Sequence, residues 1–309
     1  MSSKLRSDLF ARVVDGAVAA DPSMAVMRPA IEKEVLHYDI IRALSDAGLF
    51  RGLTFQGGTC LRLCHGASRL SEDLDFTGGK GFDHRSLELV KRSVEEVIGR
   101  NYGLPVEVKE PRDAALEPVN GGIRISKWQV AVITAPARPD MPRQRIKIEV
   151  ADIPSETRQL TPLKANYAGL PASMTGTLVP AQTLGEILAD KVVSLPNCSQ
   201  YVRNRDVWDI GWLVQRGARI DPEHVRAKVG HYDASEYGDR VREMLDRVDE
   251  IISGKDFLSE MARFIPANVR ARTLDVPGFD EALSGMVRGA LEEGMAAHRG
   301  ADSSPSFMM

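Results

Sequence analysis

The sequence predicts an α+β fold, with a small mixed sheet flanked by helices and a helical bundle after it. Three observations predict it. Short runs with strand character alternate with helical spacing up to about Val150. Beyond Pro180 nearly every segment repeats its apolar residues at three- and four-residue intervals. Between the two, residues 154–180 are rich in Pro, Thr, Gly and Ala and read as a connector, which sets the expected domains at 1–178 and 179–309.

The elements follow in order. Leu5, Leu9, Val13 and Ala17 stand four apart and predict a helix over 5–20, broken by Asp21-Pro22. Pro29, favoured in a first turn, opens a second helix carrying Ile31, Val35, Ile40, Ile41 and Leu44, and Gly48 ends it. Leu53-Thr54-Phe55 predicts a short strand that runs into Gln56-Gly57-Gly58-Thr59. A short helix over 60–65 follows, closed by Gly66. Leu74-Asp75-Phe76 predicts another strand, ended by Gly78-Gly79. Asp83 is the expected N-cap of one long helix over 84–100. Strands are predicted over 106–109, 123–133 and 144–150. The last alternates cleanly, with Ile146, Ile148 and Val150 on one face and Lys147 and Glu149 on the other. Helices are predicted over 182–195, 205–215, 223–229, 236–252, 257–264 and 279–296, and the Ser-rich tail 301–309 reads as a frayed end. There is no internal repeat.

Composition narrows the function. The 309 residues carry 40 Lys and Arg against 43 Asp and Glu, with 43% hydrophobic and 27% charged residues. Such values exclude a disordered or fibrous chain, and they leave no global basic footprint, so a nucleic-acid partner must be held by a local patch. No run approaches the ~18 apolar residues of a membrane span. Asp8, Arg12 and Asp15 interrupt any apolar core of a signal peptide. Three cysteines, Cys60, Cys64 and Cys198, do not suit a disulfide framework, and a reducing cytoplasm is the expected compartment. Cys60, Cys64 and His65 lie close in sequence but lack the fourth ligand of a structural zinc site.

The chemistry concentrates between Phe55 and Phe76. A strand ends in Gly57-Gly58-Thr59 and a helix begins at once. Glycines let a backbone approach a ligand, and a helix N-terminus offers free N–H groups to phosphate. Asp73 and Asp75 stand two apart, which on a strand places both carboxylates on one face, and paired like charges favour a cation between them. Glu149 offers a third carboxylate with the same outward alternation. Three carboxylates around two hard cations suit two-metal phosphoryl transfer. Each piece alone is ordinary, and their conjunction carries the reading. No Gly-Lys-Ser/Thr follows the glycines and no Gly-x-Gly-x-x-Gly is present, so neither a Walker loop nor a dinucleotide fingerprint is at hand.

Gly57-Gly58-Thr59 with Ser71-Glu72-Asp73-Leu74-Asp75-Phe76 closely resembles the first motif of the AbiEii family. These are nucleotidyltransferase toxins of AbiE and related type IV toxin–antitoxin systems, within the polymerase-beta-like superfamily. Ile146-Lys147-Ile148-Glu149 resembles the second motif, with Glu149 where Asp is more usual. Glu186 to Lys191 resembles the third and Arg203-Asn204-Arg205-Asp206-Val207-Trp208-Asp209 the fourth. The resemblance runs in order from Gly57 to Asp209, about half the chain.

It implies a Mg²⁺-dependent transfer of NMP from an NTP to an acceptor hydroxyl, with release of pyrophosphate. Asp73, Asp75 and Glu149 would hold two Mg²⁺. Gly57, Gly58 and Thr59, with Ser71, would cradle phosphates. Lys191 would neutralise the leaving pyrophosphate, and Asp206 or Asp209 would act as base or hold Lys191 and Arg205. An RNA acceptor is implied, in characterised relatives the 3′ end of tRNA, with a cognate antitoxin encoded nearby. Arg138, Arg143, Arg145 and Lys147, Arg203 and Arg205, and Arg263, Arg270 and Arg272 are candidate basic patches, against the plainer reading of solvated surface. Two rivals share these residues: a small-molecule, antibiotic-type nucleotidyltransferase, and a non-catalytic nucleotide-binding module.

Overall fold

The computed structural model describes residues 3–111, 123–167 and 170–300. The tail 301–309, expected to fray, lies outside the described residues. The described chain divides into two compact units. Residues up to 111, with 124–182 and 264–268, form the first; 183–263 and 269–300, with Ile123, form the second.

The first unit is built on seven strands: β1 (Thr54–Gln56), β2 (Leu74–Thr77), β3 (Val106–Lys109), β4 (Ile125–Val132), β5 (Gln144–Ala151), β6 (Gln159–Pro162) and β7 (Leu178–Ala181). They form one mixed sheet in the order β3-β4-β5-β2-β1-β7-β6. β2 runs parallel to β5 and β1 to β7, and the other neighbours are antiparallel. Alternation decides which face is covered. Trp128, Val130 and Val132 of β4, Ile146, Ile148 and Val150 of β5, and Leu74 and Phe76 of β2 are all buried. They meet in register: Trp128 opposite Ile148, Leu74 beside Ile148, Phe76 beside Val150. Full burial of each such side chain contributes roughly 1.5–3 kcal/mol. Phe55 stacks on Phe76 at 5.0 Å between ring centroids, which ties β1 into the same core.

Helices α1 (Ser3–Ala20), α2 (Arg28–Asp46), α3 (Gly57–Cys60), α4 (Leu89–Tyr102) and α5 (Ala172–Thr175) complete this unit. α2 is its polar spine as well as an apolar one. Glu32 accepts from Gln144 at 2.8 Å and Thr134 at 2.9 Å, and Asp39 accepts from Tyr102 at 2.6 Å and Asn101 at 2.8 Å. These bonds fix α2 to the β4–β5 end of the sheet and to the end of α4.

Three expectations are corrected. The stretch read as a connector supplies β6, α5 and β7, so two sheet strands were missed. Each is four residues long and contains a proline, Pro162 or Pro180, which leaves no readable alternation. Pro162 is tolerated because β6 is an edge strand with β7 as its only neighbour. The single helix over 84–100 is instead a 3₁₀ turn, His84–Leu87, capped by the Asp83 side chain, followed by α4. The predicted helix over 60–65 begins earlier, at Gly57, and passes into a π-helical turn over Leu61–His65 before Gly66 closes it at φ +80°.

The second unit is helical: α6 (Leu184–Asn197), α7 (Asn204–Gln215), α8 (Pro222–His231), α9 (Tyr237–Ser253), α10 (Lys255–Phe264), α11 (Ala267–Arg270) and α12 (Phe279–Arg299), with residues 264–268 counted in the first unit. Thr183 caps α6 and Asp221 caps α8. α7 and α12 pack closely, since a Cβ at Gly211 would lie 2.3 Å from Leu283. Glu186 of α6 and Lys228 of α8 form a fully buried ion pair at 2.7 Å. No helix of the described residues is long and apolar enough to cross a membrane.

Candidate active site

The residues singled out in the sequence fall into two groups, one in each unit.

The first group surrounds the junction of β1, β2, β5 and the helix that starts at Gly57. Gln56 of β1 pairs with Asp75 of β2, and Asp75 in turn pairs with Glu149 of β5. Neighbouring strands lie about 4.8 Å apart, so these two carboxylates project side by side. Asp73 sits one residue ahead of β2 rather than on it, yet it reaches the same strand: its Oδ1 accepts the backbone N–H of Lys147 at 3.0 Å. Gly57 holds φ +75°, and a Cβ there would come 2.8 Å from Asp75 Oδ2. Gly58 is hemmed in by side-chain ends alone. A Cβ there would meet Arg69 Nη2 at 2.3 Å and Ser71 Oγ at 3.2 Å. Gly57 is therefore favoured by its backbone angle as well as by Asp75, whereas a side chain at Gly58 would have to displace the Arg69 guanidinium. The buried hydroxyl of Thr59 donates to the Asp73 carbonyl and braces the loop against the acidic segment.

The charges balance locally. Lys127 of β4 lies 3.2 Å from Glu149, and Lys147 lies 3.6 Å from Asp73. The Asp73 carboxylate, chiefly, pushes the Lys147 ammonium above its ordinary value. Among the described residues, no three His, Cys, Asp or Glu side chains are gathered closely enough to grip a metal ion. The donor chemistry nevertheless fits a hard divalent cation. Asp75 and Glu149 are register neighbours, Asp73 bonds to the strand that bears Glu149, and ammonium groups already answer the negative charge there.

Several residues that support this group had no signal in the sequence. On α2, Lys33 pairs with Glu72 at 2.8 Å, and the ring of His37 bonds the Glu72 carbonyl at 2.9 Å. Both grip the residue just before Asp73. Burial lowers the pKa of His37, so the ring is neutral and Nε2–H is the donor to that carbonyl. Glu34, one position after Lys33, receives Arg62 at 3.0 and 3.1 Å and Asn166 at 2.7 Å. Arg62 lies in the π turn that follows the glycines. One helix therefore anchors both the glycine segment and the acidic segment. Arg69, 3% exposed, lies against Gly58 and donates to the Leu70 carbonyl at 2.9 Å. Lys33, Glu34 and His37 lie 28 to 39 residues from Glu72 and Arg62, and Glu34 lies 132 from Asn166. Only Lys127, on the outward alternation of β4, could have been found from periodicity.

The second group lies on α6 and α7. Lys191 is nearly buried, and its Nζ contacts Asp206 Oδ1 at 2.5 Å and Asp209 Oδ2 at 2.9 Å. Asp206 also receives Arg203 at 3.2 Å, and this carboxylate is the main reason the Arg203 pKa is raised. Asp190 accepts from the hydroxyl of Tyr232 at 2.6 Å. Both aspartates of the Asp-x-x-Asp pattern thus grip Lys191. Arg205 reaches Glu260 of α10 at 3.1 Å.

Comparison with known proteins bears on both groups. A family model described as nucleotidyl transferase AbiEii toxin, type IV TA system, matches residues 39–285. Among solved structures, MenT4, a nucleotidyltransferase toxin from Mycobacterium tuberculosis H37Rv, is similar over 96% of this chain and 96% of its own, at 18% identity and a TM-score of 0.52. That likeness shows the fold. JHP933 from Helicobacter pylori covers 89% of this chain and 98% of its own at 17% identity, with a TM-score of 0.45, too low to carry an argument. Comparison with curated protein sequences finds no match.

Proposed function

The chain belongs to the AbiEii family of nucleotidyltransferase toxins, and from that premise we propose that it transfers a nucleoside monophosphate from an NTP to a hydroxyl of an RNA acceptor, with pyrophosphate as the other product. The tRNA 3′ end is the proposed acceptor, the cytoplasm the proposed compartment, and a cognate antitoxin the proposed partner. The observation that carries the reading is the in-register pair Asp75–Glu149 beside the glycine segment, with Asp73 bonded across to β5.

Each residue has a part. Gly57 and Gly58, packed against Asp75 and Arg69, begin the helix whose free N–H groups would face the triphosphate, and Ser71 stands beside Gly58 to donate a hydroxyl. Asp73, Asp75 and Glu149 would hold Mg²⁺, two ions in the full complement. When bound, Mg²⁺ lowers the cost of the charge that develops on the attacking and leaving oxygens. Lys191 offers a fixed positive charge to the leaving pyrophosphate, oriented by Asp206 and Asp209. That pairing favours a holding role over a general-base role for both aspartates, because each already accepts from Lys191. Lys147 and Arg205 supply further positive charge to phosphate.

Radiolabelled NTPs, each of the four in turn, incubated with total RNA, protein and no acceptor test the reading. Label in RNA that needs Mg²⁺ and disappears in Asp75→Ala is the expected result. Label in a small molecule alone would move the chain to the antibiotic-type class. Binding of NTP with no turnover would make it a binding module.

A further inference from the structure

We propose that the uncovered face of β3, β4 and β5 is the track on which the phosphate backbone of the RNA acceptor lies. The proposal rests on the transfer reading above and adds the surface that takes the acceptor.

The pleat creates this face. Because Trp128, Val130, Val132, Ile146, Ile148 and Val150 point to the buried side, Lys127, Gln129, Arg145, Lys147 and Glu149 point to the other. Val108 of β3 is buried with the first set, which leaves Glu107 and Lys109 with the second. The register then arranges the charges in rows. Glu149 stands opposite Lys127, and Lys147 stands opposite Gln129, which stands opposite Lys109. Arg145 stands opposite Ala131, and Ala131 opposite Glu107. Lys109, Lys127, Arg145 and Lys147 are all exposed. Glu149 belongs to the acidic cluster, and Glu107 is partnered by Arg143 at 3.6 Å. Lys127 and Lys147 stand beside Glu149 and Asp73, at 3.2 and 3.6 Å, Lys109 and Arg145 carry the positive charge on away from the carboxylates, and no large apolar side chain is exposed on these strands. A protein partner would need such anchors; a polyanion needs only the charges.

The dimensions also suit a nucleic-acid strand. From β2 to β3 is three strand spacings, about 14 Å, room for about four stacked nucleotides at 3.4 Å each. A terminal hydroxyl at the carboxylate end would leave the upstream phosphates over Lys147, Lys109 and Arg145.

The test uses the full chain and a fluorescent single-stranded RNA with a free 3′ hydroxyl, measured by anisotropy across a salt series. Lys109→Gln/Arg145→Gln removes two contacts distant from the carboxylates. Each phosphate contact on a single strand contributes about 0.7 to the slope of log K against log salt. The double variant should therefore lose about 1.4 in slope and bind about 25-fold more weakly at ~0.1 M salt. Lys91→Gln/Arg92→Gln on α4 removes the same charge elsewhere and should bind as the unaltered protein does. The proposal is overturned if the double variant binds normally, if the α4 control loses as much, or if the unaltered protein does not bind RNA. The labelling experiment is scored separately, so RNA binding on this face without transfer would sink the enzymatic reading while leaving the track intact. A DNA strand of the same sequence reports whether the sugar hydroxyls contribute.

Discussion

Replacing Lys191 with methionine removes the one charge that two buried carboxylates share. Asp209 has a side chain 2% exposed and Asp206 one 13% exposed, and the ammonium lies 2.9 and 2.5 Å from them. At an effective dielectric of about 20, each contact is worth about 6 kcal/mol of Coulomb attraction, most of it offset by the cost of taking the ions out of water. The measurable loss on breaking such a pair is about 3–5 kcal/mol, because the buried carboxylates lose the cation nearest to both. For a folding unit of this size that is a fall in Tm of about 10 °C. Arg203 stays beside Asp206 and should keep the loss toward the lower end. The triple variant Lys191→Met/Asp206→Asn/Asp209→Asn removes all three charges and should recover most of the stability, yet remain inactive in NMP transfer. Differential scanning fluorimetry and the labelling assay are run together. A Lys191→Met protein that melts normally and labels RNA at the original rate would refute the reasoning on both counts. A triple variant as unstable as the single one would refute the charge argument alone.

Three further outcomes follow from the geometry. Gly58→Ala forces a Cβ against the Arg69 guanidinium and should cost about 1–3 kcal/mol, with loss of NTP binding measured by calorimetry. His37→Leu deletes the bond to the Glu72 carbonyl and should weaken Mn²⁺ binding, read by EPR, about tenfold, while His37→Gln retains a donor and should recover most of it. Burial pushes the Asp39 carboxyl up to about 6, against the bonds from Tyr102 and Asn101. The native state therefore keeps a proton that the unfolded chain releases near 3.8, and stability falls as pH rises between those values, by about 3 kcal/mol. Urea midpoints compared across that window should show the fall in the unaltered protein and its absence in Asp39→Asn.

Local pattern carried much of the candidate site. Glycines between a strand and a helix, two aspartates two apart, and an alternating strand with one acidic position all depend on spacing along a few residues. Each of these appears where the spacing puts it, with the refinement that Asp73 precedes β2. Lys191 shows the opposite case. In isolation it reads as a solvated helix lysine; the resemblance left Asp206 or Asp209 as its holder or as a base, and the fold turns both carboxylates of α7 onto it. The missed strands β6 and β7 make the same point from the other side. Four residues with a proline hold no periodic signal, and they become strands because each finds a partner across the sheet.

What the sequence determined by itself was the set of chemical groups and their near neighbours, because backbone geometry makes period two and period 3.6 legible over short spans. What tertiary structure alone decided was which distant groups meet. The hold of α2 on Glu72 and Arg62, the pairing of Asp75 with Glu149, and the row of cations from Lys147 to Lys109 all join residues far apart in the chain. Such contacts arise from strand register and helix packing across the whole core, and no local repeat encodes them.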